Sequence, residues 1–293
     1  MKLSDALELL LLSALWGGSF LFIRVAAPVL GPVWLIELRL ALTVLLMLPL
    51  VVKLGLWREI RQHWRSMLIM GGLGLALPFT LISFASLSLP AGFTSILNAT
   101  TPLFGAVVAA IWLKEQLTQV QRVGLGLGFA GVVVLVGIKA TISSAFLLEV
   151  GAGLLASLMY AISSPYAERA LGGVRPLAIA AGSQMGGAIL LLPALPFTVP
   201  TQTPSLAAVV SVVCLAGFST ALAYMLFFRL LQSIGSTRVL TVTYLVPVFA
   251  IAWAALLLGE AVTVSMLGGG LLVLLSVAIA NGIFTRSKGL RRE

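Results

Sequence analysis

In a chain of 293 residues, 60% are hydrophobic and 9% charged, and the mean hydropathy is +1.14. A soluble protein carries about 25% charged residues, so this composition excludes a soluble domain and requires lipid around much of the surface. The 18 basic residues outnumber the 9 acidic ones, but they lie in short segments between apolar runs, a pattern that sets membrane orientation and not nucleic-acid binding.

Taken in order, the apolar runs are read as ten helices at approximately 4–24, 33–52, 66–88, 91–113, 119–138, 145–165, 175–197, 205–228, 237–258 and 262–284. Each has about 20 residues, enough to span a hydrocarbon core of about 30 Å. Lys2 followed by a leucine-rich run imitates a secretory signal, but no A-x-A-like cleavage site follows, so an uncleaved first span is expected. Between the second and third runs, Lys53 to Arg65 holds four basic residues and one acidic, and is expected to be a cytoplasmic loop. With both termini inside, Lys2, Lys53, Arg58, Arg61, Arg65, Lys114, Arg122, Arg169, Arg175, Arg229, Arg238, Arg286, Lys288, Arg291 and Arg292 are cytoplasmic, leaving Arg24, Arg39 and Lys139 outside. That separation predicts a multi-pass protein of a bacterial-type inner (plasma) membrane with cytoplasmic N- and C-termini.

The stretch from Thr94 to Thr118 returns from Val239 to Thr263. Pro102/Pro247, Phe104/Phe249, Ala109/Ala254, Ala110/Ala255, Leu113/Leu258, Glu115/Glu260 and Thr118/Thr263 are identical without a gap, at an offset of 145 residues. Gly72/Gly217, Phe79/Tyr224 and Gly124/Gly269 keep the same offset. The chain therefore reads as a duplicated unit. Five helices per copy is an odd number, so the second copy enters the membrane upside down. The expected architecture is an all-α polytopic membrane protein of two inverted five-helix repeats, residues 1–139 and 140–293, the second ending in a short basic cytoplasmic tail. Inverted repeats of this kind are characteristic of secondary transporters, in which two related halves exchange conformations around a central site.

Three features carry a family resemblance: the tryptophan-glycine element LSALWGGSFLFIRVA (Leu12 to Ala26), Glu37-x-Arg39 opening the second helix, and the P-x-F…E-x-x-T pattern closing the fourth and ninth. Over nearly its whole length the chain resembles the drug/metabolite transporter (DMT) superfamily, and more narrowly its EamA-type, YddG-like amino-acid and metabolite exporters. The resemblance implies EamA-type repeats and export of aromatic and other neutral amino acids or related metabolites. Its motifs are structural and do not fix the substrate.

Each repeat interrupts its fourth helix with a proline. Pro102 and Pro247 lack an N–H and so deprive the carbonyls of Asn98 and Thr243 of their helical donors. In lipid such groups must be satisfied by protein, water or ligand, and paired interruptions in two halves point to a binding site. Asn98, Thr101, Thr241 and Thr243 are candidate polar contacts; the alternative is that the prolines only kink packed helices and these residues are interhelical hydrogen-bonding groups. Trp16, Phe20, Phe79, Met159, Tyr160, Tyr224 and Tyr244 are candidates for the apolar wall, with Pro78 a further break before Phe79. Such a cavity, walled by helices one, three, four, six, eight and nine, suits an amphiphilic solute. Arg39 is a candidate for a substrate carboxylate; the alternatives are snorkelling to the outer surface and pairing with Glu37 or another acid. Glu115, Glu149 and Glu260 read as structural or gate-forming, and no carboxylate stands at mid-depth as an obvious proton relay.

The enzyme signals fail in context. Gly126-x-Gly128-x-x-Gly131 matches a dinucleotide pattern but no strand precedes it, and no P-loop lysine is present. Gly124-x-x-x-Gly128, Gly182-x-x-x-Gly186 and the Gly268 to Gly270 run are read as close helix contacts. His63 is read as solvated or membrane-apposed and Cys214 as a buried structural thiol, so no cofactor and no metal site is expected. The expected partners are a small-molecule substrate and the lipid bilayer, with no nucleic acid; a monomer and a homo-oligomer both remain open. The competing readings are a multidrug or other metabolite exporter, such as one for nucleosides, on the same fold, and a membrane-embedded enzyme or accessory protein.

Overall fold

The computed structural model of the protein describes residues 2–112, 114, 116–137 and 143–280. Over these residues the regular structure is helical throughout. In chain order, α1 (Leu3–Leu30) meets α2 (Pro32–Lys53) at Gly31, where φ of +73° suits glycine, and Pro32 begins the next helix at a position where the N–H it lacks would have had no helical acceptor. The short α3 (Trp57–Gln62) and α4 (Trp64–Gly71) follow, and α4 runs through a π-helical turn, Gly72–Ala76, into α5 (Leu77–Ala85). Next come α6 (Ala91–Asn98), α7 (Thr101–Trp112) and α8 (Gln119–Val136), then α9 (Ser144–Ala170) and α10 (Pro176–Leu191), the last extended by a 3₁₀ turn, Leu192–Phe197. Beyond it α11 (Leu206–Ala216) continues through a second π-helical turn, Gly217–Leu222, into α12 (Ala223–Ile234), followed by α13 (Ser236–Val239), α14 (Val242–Leu258) and α15 (Val264–Ala280).

Among the described residues eight helical segments are long and apolar enough to cross a membrane, and α14 and α15 are shorter apolar helices of 17 residues each. The expected spans fall on these segments, with ends displaced by up to six residues, as at Leu30 and Ile234. The expected loop from Lys53 to Arg65 is mostly helical: α3 buries Ile60 while Trp57 and Trp64 stay exposed. Exposed Leu45, Leu46, Ile111, Val133, Leu148, Leu256 and Leu257 form an outer apolar surface that matches lipid. Leu113, Glu115, Lys139 and the basic tail from Arg286 lie outside the described residues, as does the expected end of the tenth span.

Helices approach most closely where a side chain is missing. A Cβ on Gly17 would lie 2.9 Å from Ala250 N and Val246 O, which brings the backbones of α1 and α14 together. Gly131 and Gly269 do the same between α8 and α15, and Gly182 and Gly186 receive Met67 and the α4 backbone. Gly268, by contrast, has only ordinary contact with Val134 at 3.7 Å, and Gly126 faces open space. The tenth-helix contact thus runs through Gly269, its neighbour. Cys214 is free and half-buried, more exposed than a core thiol.

The two ends of the bundle differ in what they carry. At one, which we call the Gly31 end, lie the α1–α2 connection, the C-terminus of α5, the N-terminus of α6 and the end of α14. The opposite, Gly55, end carries the α2–α3 connection, α3, and the starts of α10 and α13.

Candidate functional site

The two π-helical turns begin at Gly72 and Gly217, positions that share the 145-residue offset seen in the sequence. A π turn widens the helix and re-aims its side chains, and such turns concentrate at functional sites. Here Gly74 and Leu75 of the first turn and Ser219 of the second face a central cavity. Around the second turn, Ser219 Oγ donates to Leu15 O at 2.8 Å and Thr220 Oγ1 donates to Leu215 O, five residues back, at 2.7 Å.

The cavity has a volume of about 650 Å³, within the range of small-molecule sites. Its walls come from α1, α5 with its π turn, α6 and α7, α9, α12 with its π turn, and α14, plus Arg39 of α2; α8, α10 and α15 contribute nothing. Ten pairs of lining residues stand at the repeat offset: Trp16/Ala161, Ser19/Ser164, Phe20/Pro165, Ile23/Glu168, Gly74/Ser219, Phe79/Tyr224, Ser95/Leu240, Asn98/Thr243, Thr101/Val246 and Pro102/Pro247. The cavity is nonetheless asymmetric along its axis. Toward the Gly31 end its lining residues Phe20, Ile23, Ile82 and Ser95 are all buried, whereas Ser164, Glu168 and Leu240 toward the Gly55 end are exposed. The site therefore opens at the Gly55 end and is closed at the other.

Arg39 sits deep in the wall, 3% exposed. Its Nε donates to Thr220 Oγ1 at 3.1 Å, and its guanidinium carbon lies 3.8 Å from the centroid of Phe79. Tyr160 meets Phe79 edge to face at 6.2 Å between centroids, Tyr224 stacks on Phe228 at 5.9 Å, and Trp16 leans on Phe227 at 5.6 Å. Rings held by other rings give the cavity a rigid apolar surface. The sequence alternatives of snorkelling and pairing with Glu37 do not hold for Arg39: it is buried, and no ion pair among the described residues includes it. Glu37, two positions earlier on the helix, does not line the cavity.

The proline breaks differ from their expected form. In the first, the helix stops at Asn98 and resumes at Thr101, and the Asn98 carbonyl is not left free, because Thr101 Oγ1 donates to it at 2.7 Å. The unpartnered group is instead the Asn98 side-chain Oδ1, buried and without a hydrogen bond. In the second, the interruption lies at Leu240 and Thr241, before α14, and Pro247 is inside a continuous helix. There Thr243 Oγ1 donates back to Leu240 O at 2.7 Å.

Of the candidate residues, Trp16, Phe20, Arg39, Phe79, Asn98, Thr101, Pro102, Tyr160, Tyr224, Thr243 and Pro247 line the cavity. Four do not. Thr241 is exposed and donates to Arg238 O; Tyr244 packs beside Leu103, Val277 and Ala280; Met159 and Pro78 point elsewhere than their lining neighbours Tyr160 and Phe79. Adjacent residues on a helix point about 100° apart, and the arc of α9 that faces the cavity starts at Tyr160 and takes in Ala161, Ser164, Pro165 and Glu168, which leaves Met159 outside it. Sequence reasoning missed Ser19, Ser95, Ser164, Ser219 and Glu168. Tyr160, Ser164 and Glu168 stand at i, i+4 and i+8, a one-face spacing that was available to find them.

At the closed end, Arg24 Nη1 donates to Ser86 O at 2.8 Å and Leu87 O at 2.6 Å, while its Nε reaches Glu260 Oε1 at 3.3 Å. Glu260 Oε2 accepts from Ala91 N at 2.9 Å, at the positive start of α6. At the Gly55 end, Arg175 donates through its backbone N–H and guanidinium to Glu59 and caps Leu54 O and Gly55 O. Arg229 pairs with Glu8 at 2.9 Å. Among the described residues no cluster of three or more His, Cys, Asp or Glu is placed to hold a metal ion.

A helical bundle enclosing a repeat-related cavity with one open end is the architecture of a membrane transporter. The profile of the EamA-like transporter family matches residues 5–137 and again residues 147–282, and the chain belongs to that family. Among curated proteins, it is 27% identical over 297 residues, 100% of this chain and 98% of the other, to a probable terminal-alkyne amino-acid exporter of Streptantibioticus cattleyicolor. It is 26% identical over 300 residues, 95% of each chain, to a probable amino-acid metabolite efflux pump of Salmonella typhimurium. An uncharacterized transporter of Archaeoglobus fulgidus is 24% identical over 266 residues, 90% of this chain and 94% of its own. A solved crystal structure, 20% identical, superposes with a TM-score of 0.66 over 98% of this chain and 100% of that one, a likeness of fold.

Proposed function

We propose that the protein is a secondary exporter of neutral amphiphilic metabolites, foremost aromatic and other apolar amino acids, working by alternating access between two inverted repeats. In this reading the chain crosses an inner (plasma) membrane ten times, residues 1–139 and 140–293 are the two halves, and the Gly55 end and both termini face the cytoplasm, an orientation the distribution of basic residues supports. The conformation described is then inward-open. The single observation that carries the reading is the pairing of cavity residues at the repeat offset, from Trp16/Ala161 to Pro102/Pro247. A site built from equivalent positions of two inverted halves becomes outward-open when the halves exchange conformations. The amino-acid assignment is supported by the names of the Streptantibioticus and Salmonella relatives and by a wall of rings with a few hydroxyl and amide groups.

Counterflow of radiolabelled phenylalanine, methionine and threonine in proteoliposomes tests it. Wild type is expected to exchange at least one of the three, and Asn98→Ala/Thr243→Ala to weaken binding by about 1–3 kcal/mol in total, at about 0.5–1.5 kcal/mol per hydrogen bond. Exchange of none by the wild type overturns the substrate class. Wild-type exchange by the folded double variant removes Asn98 and Thr243 from the site.

A further inference from the structure

We infer that Arg39 is the anchor for a carboxylate group, so that the substrates are apolar-bodied monocarboxylic acids, including amino acids recognised through the acid end more than through the amine. This deepens the proposed function and rests on its placing of substrate in the central cavity. Arg39 is a cation deep in the bundle with no carboxylate partner among the described residues. A guanidinium presents five N–H donors in a planar fork. One, at Nε, is spent on Thr220, whose own hydroxyl proton is committed to Leu215 O, so Thr220 is held as an acceptor and fixes the plane of the fork. The Nη1 donors are buried and have no acceptor. The face of the guanidinium is occupied by Phe79 at 3.8 Å, leaving its edge as the part free for a ligand that enters the cavity.

A buried, unpaired cation with idle donors is costly in a membrane protein, and such residues face cavities and mark substrate paths. The group that relieves it is an anion with two coplanar acceptors, which a carboxylate supplies in bidentate form. The rings of Phe79 and Tyr160 beside it form an apolar wall for the body of the solute. Among the described residues the ammonium of an amino acid has no comparable partner near that point. Among the described residues Glu168 is the one acidic residue lining the cavity, and it lies eight residues from Tyr160 toward the open end, about 12 Å along α9 at about 1.5 Å per residue. An α-ammonium is only one carbon away from its carboxylate, so a single small amino acid bound at Arg39 does not reach Glu168. Neutral acceptors such as Asn98 Oδ1 remain for it. A carboxylic acid without the amine therefore fits the same seat, and an amine or amide without the acid does not.

The test compares 3-phenylpropionate with 3-phenylpropionamide, which differ in the anion alone. Both are measured for thermal stabilisation of the purified full-length protein in detergent and for competition with radiolabelled phenylalanine in proteoliposome counterflow. The acid is expected to act at concentrations at least about tenfold lower than the amide, as for gain of a charge-assisted bidentate contact. Arg39→Gln is expected to erase that preference and Arg39→Lys to keep part of it. Equal potency of acid and amide on wild type, an undiminished preference in folded Arg39→Gln, or equal stabilisation by chloride at the same concentration overturns the inference. Should Arg39→Gln fail to fold, the acid–amide comparison on the unaltered protein decides alone. Acid-selective stabilisation without any exchange sinks the transport reading and leaves the anchor standing; exchange that is indifferent to the acid sinks the anchor and leaves transport standing.

Discussion

Arg24 and Glu260, 236 residues apart in sequence, meet at 3.3 Å and together tie four chain segments at one end of the cavity. The guanidinium of Arg24 caps the carbonyls that end the third span, and the carboxylate of Glu260 caps the first N–H of α6. Helix ends leave such groups without intrahelical partners, so one ion pair satisfies the termini of two helices while bridging α1 to the end of α14. It lies beyond Ile23, the lining residue one position before Arg24.

The first prediction concerns this closure. Glu260→Gln or Arg24→Gln leaves carbonyls or an N–H of the helix ends with weaker partners and is expected to shift the protein toward opening at the Gly31 end. In a Cys214→Ser background carrying Ile23→Cys, labelling by an impermeant thiol reagent from that side should rise about tenfold, corresponding to about 1.4 kcal/mol of lost closure. Unchanged labelling would show that the pair only braces the fold.

The sequence made this end partly legible. Glu260 was marked by its repeat with Glu115, but its partner was not, because Arg24 is fixed by packing between distant segments and not by local spacing. The spans were legible because length and apolarity are local properties, and the cavity walls were legible because the duplication supplied a second copy of the pattern. The π turns were not, since they are a change in hydrogen-bond register; Gly72/Gly217 hinted at them only as an echo. The setting of Arg39, a candidate from the sequence that does line the cavity, was hidden for the same reason as that of Arg24: its partner Thr220 is 181 residues away. Tyr244 and Met159 failed differently, chosen for their chemistry beside a true lining residue but just outside the arc of helix that faces the cavity.

A second prediction separates glycines that look alike in sequence. A Cβ on Gly131 would stand 2.9 Å from Val273 N and 3.0 Å from Gly269 O, and one on Gly269 would stand 2.7 Å from Gly131 O. These are backbone neighbours on a facing helix, so relief requires α8 and α15 to move apart. Gly131→Ala and Gly269→Ala are each expected to destabilise by about 1–3 kcal/mol, the usual cost of overpacking. Gly126→Ala meets nothing within 4 Å and should leave the melting temperature unchanged in detergent. Equal effects at all three positions would contradict the α8–α15 contact.

The third prediction is a pH dependence. The backbone N–H of Arg175, followed by its guanidinium, holds the Glu59 carboxyl below its ordinary value of 4.5. A carboxylate depressed in the folded state contributes stability that is fully present above its unfolded value and lost as pH falls through the lowered one. Glu59→Gln should therefore melt below wild type at neutral pH, with the difference shrinking as the pH drops beneath about 4.5. Trypsin cleavage after Arg58 or Arg61 at neutral pH should also be faster in the variant, since α3 loses its tie to the start of α10. A melting difference that stays constant to pH 3 would assign the effect of Glu59 to packing.

The last prediction uses the repeat to reach the opposite state. The position equivalent to Arg24 is Arg169, at the end of α9 and on the open side of the cavity. Its guanidinium carbon lies 5.6 Å from the centroid of Trp112, and no ion pair among the described residues includes it. Glu115, the equivalent of Glu260, lies outside the described residues. If the halves exchange conformations, Arg169 should meet the end of α12 as Arg24 meets the end of α5, where the carbonyls of Leu231 and Gln232 stand at the offset of Ser86 and Leu87. Arg24 would then favour the inward-open form and Arg169 the outward-open one. Arg169→Gln is expected to lower labelling at Ile23→Cys from the Gly31 side, opposite in sign to Arg24→Gln, and the double variant to fall between them, since two states joined by one equilibrium respond additively to biases on each. The measurement is the same impermeant-reagent assay, with reconstituted protein of known orientation. Changes of the same sign at Arg24 and Arg169 would mean that the ends open independently, and alternating access by exchange of the two repeats would be the wrong mechanism.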